Sequence, residues 1–444
     1  MGDLESILPK ESATVAAIYA HYKRTGDAEP KRGYLGASII GHPCERYLWY
    51  TFRQATKPEI DGRTYRLFET GDLAESRFVA DLRAIGCEVH EKDPSTGQQF
   101  EVSALGGHFS GHMDGCARGI PEAPATWHVL EFKTHNAKSY AKLKKDGVAK
   151  SKPQHHAQMQ AYMHLTGMTR ALYLAVNKDT DELYAERVRY DKAFAVGLMS
   201  LAERIITSTT PPDRIASRPD WHECKWCDAR EVCWGGDKAL PIQSISCRQC
   251  CFATPKTDVP GAVWWCEKRL RALSPNDQDR ACDDHLVLPG MISFADPTGS
   301  GTENGRDHIE FTQREPDSAG YASWRHGAGG WSTKELLSVS ASTLVNEVAS
   351  RAKELFGAEA GRERNGMVLA RYTDDTSFVV WTGHARHLQA EWTKLYGTTL
   401  SDLKPIAEDE DLNVIAIEYE CRAGHAAVVL DPQTKKCWIL QGKA

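Results

Sequence analysis

The chain has 444 residues, of which 41% are hydrophobic and 26% charged, with a net charge of −6. That length exceeds one ordinary core and implies two or three domains, and no run of about 18 apolar residues offers a membrane span. The charge excludes a uniformly basic nucleic-acid binder, but all of the deficit lies in residues 291–444, where 22 acidic side chains outnumber 16 basic ones.

The first residues, "MGDLESILPKES", lack the basic-then-apolar order of a secretory leader. The 13 cysteines are odd in number and mostly closely paired. Metal ligation in a cytoplasmic setting is therefore expected over disulfides. Residues 1–105 read as a helical N-terminal part, with amphipathic stretches at "TVAAIYAHYKR" and "YRLFETGDLAESRFVADLRAIG". Residues 106–240 alternate strands and helices: strand-like runs at "GHFSGHMDG" and "HVLEFKTHN", a helix over 153–166, a strand at "ALYLAVNK", and a helix near "DKAFAVGLMSLAERIITS". The fold class is α/β with a mixed central sheet. The proline-rich "TTPPDRIASRPD" leads to cysteine-rich stretches, of which residues 241–290 form a compact module too small to fold without a staple. Residues 291–444 read as an α+β domain. In it, Ser332 and Glu335 form a capping box that opens a helix to about Phe356, followed by a hairpin over 366–383 and strands in 413–431 and 436–440.

In "HVLEFKTHN", Glu131 and Lys133 sit two apart in a buried-strand pattern, so they project from one face. A core strand avoids that unless both charges act. Sixteen residues separate Asp114, at the end of a strand expected to pair with this one, from Glu131. Two carboxylates on neighbouring strands make a hard oxygen site suited to Mg²⁺ or Mn²⁺, with the Phe132 backbone carbonyl as a further ligand. There the metal would polarise a phosphodiester, and Lys133 would orient water or neutralise developing charge. On the following helix, Gln158 and Tyr162 stand four apart on one face.

Asp114, Glu131, Lys133, Gln158 and Tyr162, in this order, resemble the PD-(D/E)XK nucleases, specifically the RecB-like and AddB-like branch that includes the iron–sulfur nucleases of CRISPR adaptation. The resemblance covers roughly residues 35–240. It implies a restriction-endonuclease-like core in which the Gln-x-x-x-Tyr helix helps hold the active site and DNA. An earlier helical acid joins the metal in relatives, and Glu75 is the best match. His112 and His155 are polar neighbours rather than ligands.

"HECKWCDAREVC" supplies Cys224, Cys227 and Cys233, and Cys44 lies 180 residues before the first of them. Four thiolates suit zinc from spacing alone. The resemblance implies instead a 4Fe–4S cluster that staples the N-terminal segment to the far end of the core. In the next module, Cys247 and Cys250 with two of Cys266, Cys282 and His285 fit a tetrahedral Zn²⁺ site, to which structural support is assigned.

The run from Lys133 to Lys152 holds seven lysines, both ends included, and one acid, Asp146. Lys138, Lys142, Lys144 and Lys145 are the candidates to carry a DNA backbone past the site. The combined expectation is a metal-dependent deoxyribonuclease, an exonuclease acting from single- or double-stranded DNA ends. The alternative is a catalytically silent DNA-binding scaffold. Residues 291–444 are a candidate protein-partner surface, no membrane partner is expected, and the oligomeric state is open.

Overall fold

The computed structural model describes residues 12–345, except residue 57 and residues 315–319. Beyond them it describes residues 358–364, 367–372, 377–399, 405–409, 415–421, 424–430 and 436–442. The first part runs α1 (Ala13–Asp27), β1 (Leu35–Gly36), α2 (Glu45–Phe52), α3 (Gly62–Ala84), β2 (Glu88–His90), β3 (Glu101–Ala104), β4 (Phe109–His112) and β5 (Cys116–Arg118). There follow β6 (His128–His135), α4 (Ala137–Ser151), α5 (Pro153–Thr166), β7 (Arg170–Asn177), β8 (Leu183–Arg189) and α6 (Lys192–Thr207).

The central sheet has the order β2-β5-β6-β7-β8. β6 and β7 are parallel and every other pairing in it is antiparallel, so the sheet is mixed, as the sequence pattern implies. Parallel neighbours need a crossover, and α4 and α5 supply it. β6 is covered on both faces, as a strand in such a position must be. Leu130 and Phe132 join Phe78, Val79 and Leu82 of α3 in one apolar cluster, with the Phe78 and Phe132 rings stacked at 5.0 Å. Val129, on the other face, belongs to the larger core with Ala157, Met159 and Tyr162 of α5. Local signals set these helices: Asp61 caps α3 by accepting from Thr64 N at 2.7 Å, Asn136 caps α4, and α5 opens on a proline and closes on left-handed Gly167.

After α7 (His222–Lys225) and α8 (Arg230–Trp234), a small sheet forms from β9 (Ala253–Pro255), β10 (Trp264–Cys266) and β11 (Arg271–Leu273), followed by α9 (Pro275–Asp279). The buried core does not stop at residue 240. Trp264 is fully buried and stacks on Phe52 of α2 at 5.4 Å. Arg53 donates to the carbonyls of Arg248 and Ser208 at 3.1 and 2.8 Å. Leu240 N in turn bonds Leu336 O at 2.9 Å. The cysteine-rich module is thus part of the same packed interior as the α/β core.

Residues beyond 290 add an antiparallel sheet of β12 (Ala295–Glu303), β13 (Arg306–Arg314) and β14 (Tyr321–Gly327). The Ser332–Glu335 capping box is present. Its helix is a single turn, α10 (Thr333–Leu336), followed by α11 (Ala341–Leu344), not one helix. The rest of the helix expected to Phe356 lies outside the described residues. A seven-stranded antiparallel sheet then includes the expected hairpin and C-terminal strands. Among the described residues, no helix is long and apolar enough to cross a membrane.

Candidate active site

Glu131 is fully buried, and its neighbour across the parallel ladder is Tyr173. Lys133, two residues on, lies on the same face with 28% of its side chain exposed. Its ammonium stands 2.6 Å from Glu131 Oε1. This ion pair is the contact that the buried carboxylate has among the described residues, and the ammonium also donates to Phe132 O at 2.8 Å. The carbonyl assigned as a metal ligand therefore already accepts one bond and keeps its second lone pair.

Asp114 was expected at the end of a strand paired with β6. β4 pairs instead with β1 and β3, and it is β5, two residues after Asp114, that pairs with β6. Asp114 occupies the bend between two sheets. Two features hold it there. Its Oδ2 accepts from Phe132 N at 2.7 Å, and Gly115 follows at φ +142, where a Cβ would lie 2.6 Å from His90 O.

The electrostatics of these groups are coupled. Burial pushes the Glu131 carboxyl up to about 7 against the pull of Lys133, with Asp114 and Glu75 adding repulsion. Burial also raises Glu75, on α3, to about 7, and Asp114 is the next cause. Asp114 is raised by burial too, against Lys133 and the Phe132 amide. Burial works against the Lys133 ammonium, but Glu131 and Asp114 outweigh it and hold its pKa up. Three carboxyl groups and one ammonium thus share a half-closed site. Asp72, one turn before Glu75, repels both Glu75 and Asp114. Sequence reasoning passed over it, although its spacing from Glu75 on a helix was the available signal. Lys133 supplies one positive charge against three clustered carboxyl groups, and a further cation would offset the remainder; their hard oxygen donors are of the kind that suits Mg²⁺ or Mn²⁺.

Gln158 and Tyr162 are buried on α5 and act through the backbone. Gln158 Nε2 donates to Tyr162 Oη at 3.1 Å, and Tyr162 Oη donates to His112 O at 2.7 Å, two residues before Asp114. A Cβ at Gly111 would lie 2.7 Å from the Tyr162 ring, so glycine is what admits the phenol. His112 and His155 pair with Tyr34 and Tyr173 as polar neighbours. Lys138, Lys142, Lys144 and Lys145 are all exposed on α4, but Lys144 is bound to Glu182 at 2.6 Å.

Cys44, Cys224, Cys227 and Cys233 line one pocket with Tyr47, Tyr50 and Trp234. All four are free thiols, and burial pushes Cys227 up to about 11. Cys247 is pushed up to about 11 by burial, with Cys282 and Cys266 beside it, and Cys250 to about 12, with Cys247 a neighbour. His285 leaves the zinc candidates: its ring nitrogens already meet Ser246 O and Thr333 Oγ1, each at 3.0 Å. Among the described residues, no group of three or more His, Cys, Asp or Glu side chains stands at the spacing of a single-ion site.

No protein-family model matches the chain, and no curated protein sequence does. Among solved structures, it is similar to the protein SSO0001 at 15% identity and a TM-score of 0.31, covering 50% of this chain and 96% of that one. It is also similar to an alkaline exonuclease, LHK-Exo, from Laribacter hongkongensis, at 16% identity and a TM-score of 0.30. The complex of LHK-Exo with dAMP gives 18% identity and a TM-score of 0.30, and each LHK-Exo comparison covers 42% of this chain and 90% of that one. At such scores the likeness carries no argument, and the chemistry rests on the residues themselves.

Proposed function

We propose that this chain is a metal-dependent deoxyribonuclease of the PD-(D/E)XK type that hydrolyses phosphodiester bonds from DNA ends. The observation that carries the reading is Glu131: a fully buried carboxylate ion-paired with Lys133 at 2.6 Å and grouped with two further carboxyl groups, Asp114 and Glu75. Glu75, Asp114 and Glu131 would hold Mg²⁺ or Mn²⁺, with the free lone pair of the Phe132 carbonyl available. The chemistry such an ion supplies is polarisation of the scissile phosphodiester and acidification of water. Lys133 neutralises charge as it develops on the phosphate. Gln158 and Tyr162 are positioning residues that fix the segment bearing Asp114. Lys138, Lys142 and Lys145 line the DNA path along α4.

Two staples complete the proposal. The pocket shared by Cys44, Cys224, Cys227 and Cys233 suits a 4Fe–4S cluster, which joins the start of α2 to the far end of the core. Cys247, Cys250, Cys266 and Cys282 suit a structural Zn²⁺ ion. Protein purified without oxygen is expected to be brown and to lose its colour on Cys44→Ala; zinc bound by that quartet would defeat the cluster assignment.

The activity is tested on end-labelled single- and double-stranded DNA with Mg²⁺ or Mn²⁺. Asp114→Ala and Glu131→Ala should abolish cleavage and leave DNA binding in place. Wild-type protein that binds DNA without cutting it would establish the scaffold reading.

A further inference from the structure

Beside the carboxylates lies a second set of polar side chains. Lys152, between α4 and α5, donates to Ser139 Oγ. Ser139 Oγ lies 3.3 Å from His135 Nδ1. His135 Nε2 lies 2.8 Å from Tyr173 Oη, and Tyr173 Oη lies 2.9 Å from His155 Nδ1. The three rings are stacked, with interplanar angles of 18°, 23° and 25°. The chain of contacts crosses α4, β6, β7 and α5, so no single element accounts for it.

Its direction follows from valence. An ammonium only donates, so Ser139 accepts from Lys152. Among the described residues, His135 Nδ1 is the acceptor within reach of the serine proton. His135 then carries its own proton on Nε2 and donates to Tyr173 Oη. The Tyr173 proton goes to His155 Nδ1, and the His155 proton is left on Nε2. Each imidazole is neutral: burial, then nearby lysines, hold His135 down to about 4 and His155 down to about 3. His155 Nε2 has no protein partner among the described residues and is not an orphaned buried atom, and its side chain is half-buried. That N–H therefore reaches solvent. The formal charges acting on the two imidazoles are Lys133, Lys152 and Lys178, all positive, an environment that favours an anion.

We propose that Lys152, Ser139, His135 and Tyr173 form a one-way hydrogen-bond wire that holds His155 as its Nε2–H tautomer, and that this N–H is a fixed donor to a phosphate oxygen of the bound DNA strand. The second half rests on the nuclease reading. A neutral donor suits the position: it binds phosphate without drawing Glu131 or Asp114 into an ion pair. Because it engages substrate and transition state alike, its loss should raise KM and spare kcat.

The first test needs no DNA. In full-length protein labelled with ¹⁵N at histidine, long-range correlation spectra should show His155 protonated at Nε2 and accepting at Nδ1. Tyr173→Phe, which keeps the stacked ring, should abolish that preference. A wild-type His155 protonated at Nδ1 overturns the proposal whatever the activity. The second test is cleavage of end-labelled DNA with Mn²⁺. His155→Leu should raise KM about tenfold with little change in kcat, and His155→Gln, which keeps an N–H donor, should recover most of the loss. Wild-type protein that cuts nothing defeats the nuclease reading and the phosphate contact with it. Wild-type protein that cuts, beside a folded His155→Leu variant of equal KM, defeats this inference alone.

Discussion

Tyr162 Oη and the carbonyl of His112 are 2.7 Å apart, and this bond fixes the backbone two residues before Asp114. Tyr162→Phe removes the donor and strands the Gln158 amide, a loss of about 1–3 kcal/mol for buried groups. Cleavage should fall about tenfold while DNA binding persists. Gly111→Ala drives a methyl into the same ring and displaces the same segment. The double variant should therefore lose less than the two singles combined. Single-turnover rates on the four proteins decide it.

Glu131 and Glu75, each raised to about 7, make metal binding a competition with protons. Added Mn²⁺ should raise the melting temperature more at pH 8 than at pH 6. In chelator the sign reverses. Folded pKa values above the unfolded ones mean that the folded state binds the extra protons, so these groups cost stability as pH rises from about 4.5 to 7. Glu131→Gln should melt higher than wild type in chelator at pH 8 and lose most of its response to Mn²⁺. A full response to Mn²⁺ in that variant would remove Glu131 from the metal site.

His326 is fully buried. Its Nε2 accepts from Val287 N at 2.9 Å, and its Nδ1 lies 2.7 Å from Trp331 O. Burial holds its pKa down to about 4. Between about 6.5 and 4 the unfolded chain takes up the proton first, so this group's stabilisation is present above that window and is lost as pH falls through it. The slope of stability against pH in this window should be smaller in His326→Gln, by up to about 1.4 kcal/mol per pH unit. Denaturant titrations at pH 7 and 5 measure the difference.

Trp264 ties the cysteine-rich module to α2. Besides its stack on Phe52, the guanidinium groups of Arg53 and Arg248 each lie 5.2 Å from its ring. Trp264→Ala should cost about 3–5 kcal/mol, and residues 1–240 alone should fail to form a soluble fold. Recovery of that fragment with a cooperative thermal transition would show that the core closes without the module.

The grouping of the candidate site residues was legible where its signals are local. Glu131 and Lys133 share a strand face by parity, and Gln158 and Tyr162 share a helix face by periodicity. Asp114 was found, but its bend between two sheets was not, since no repeat of two or four residues encodes a change of sheet. His135 lies on the same strand face as Glu131, yet its partners Tyr173 and His155 come from other elements, and pattern along one segment is silent about such meetings. His285 looked like a ligand by spacing. Only the packed structure places Ser246 and Thr333 on its two nitrogens. The packing of the cysteine-rich module on α2 was not legible either, because a tryptophan on a short strand does not announce which core it enters.

The bonds of Arg53 also set a timetable for synthesis. Its guanidinium is fully buried, and its acceptors are the carbonyls of Ser208 and Arg248. A ribosome adding about 5–20 residues per second needs on the order of ten seconds or more to reach the second of them. By then every carboxylate of the candidate site and the whole of α5 have been made. The nascent chain therefore holds every residue of the candidate site before the Arg53 bonds of α2 can be completed, and the closing of its N-terminal part awaits residues made well after the site itself.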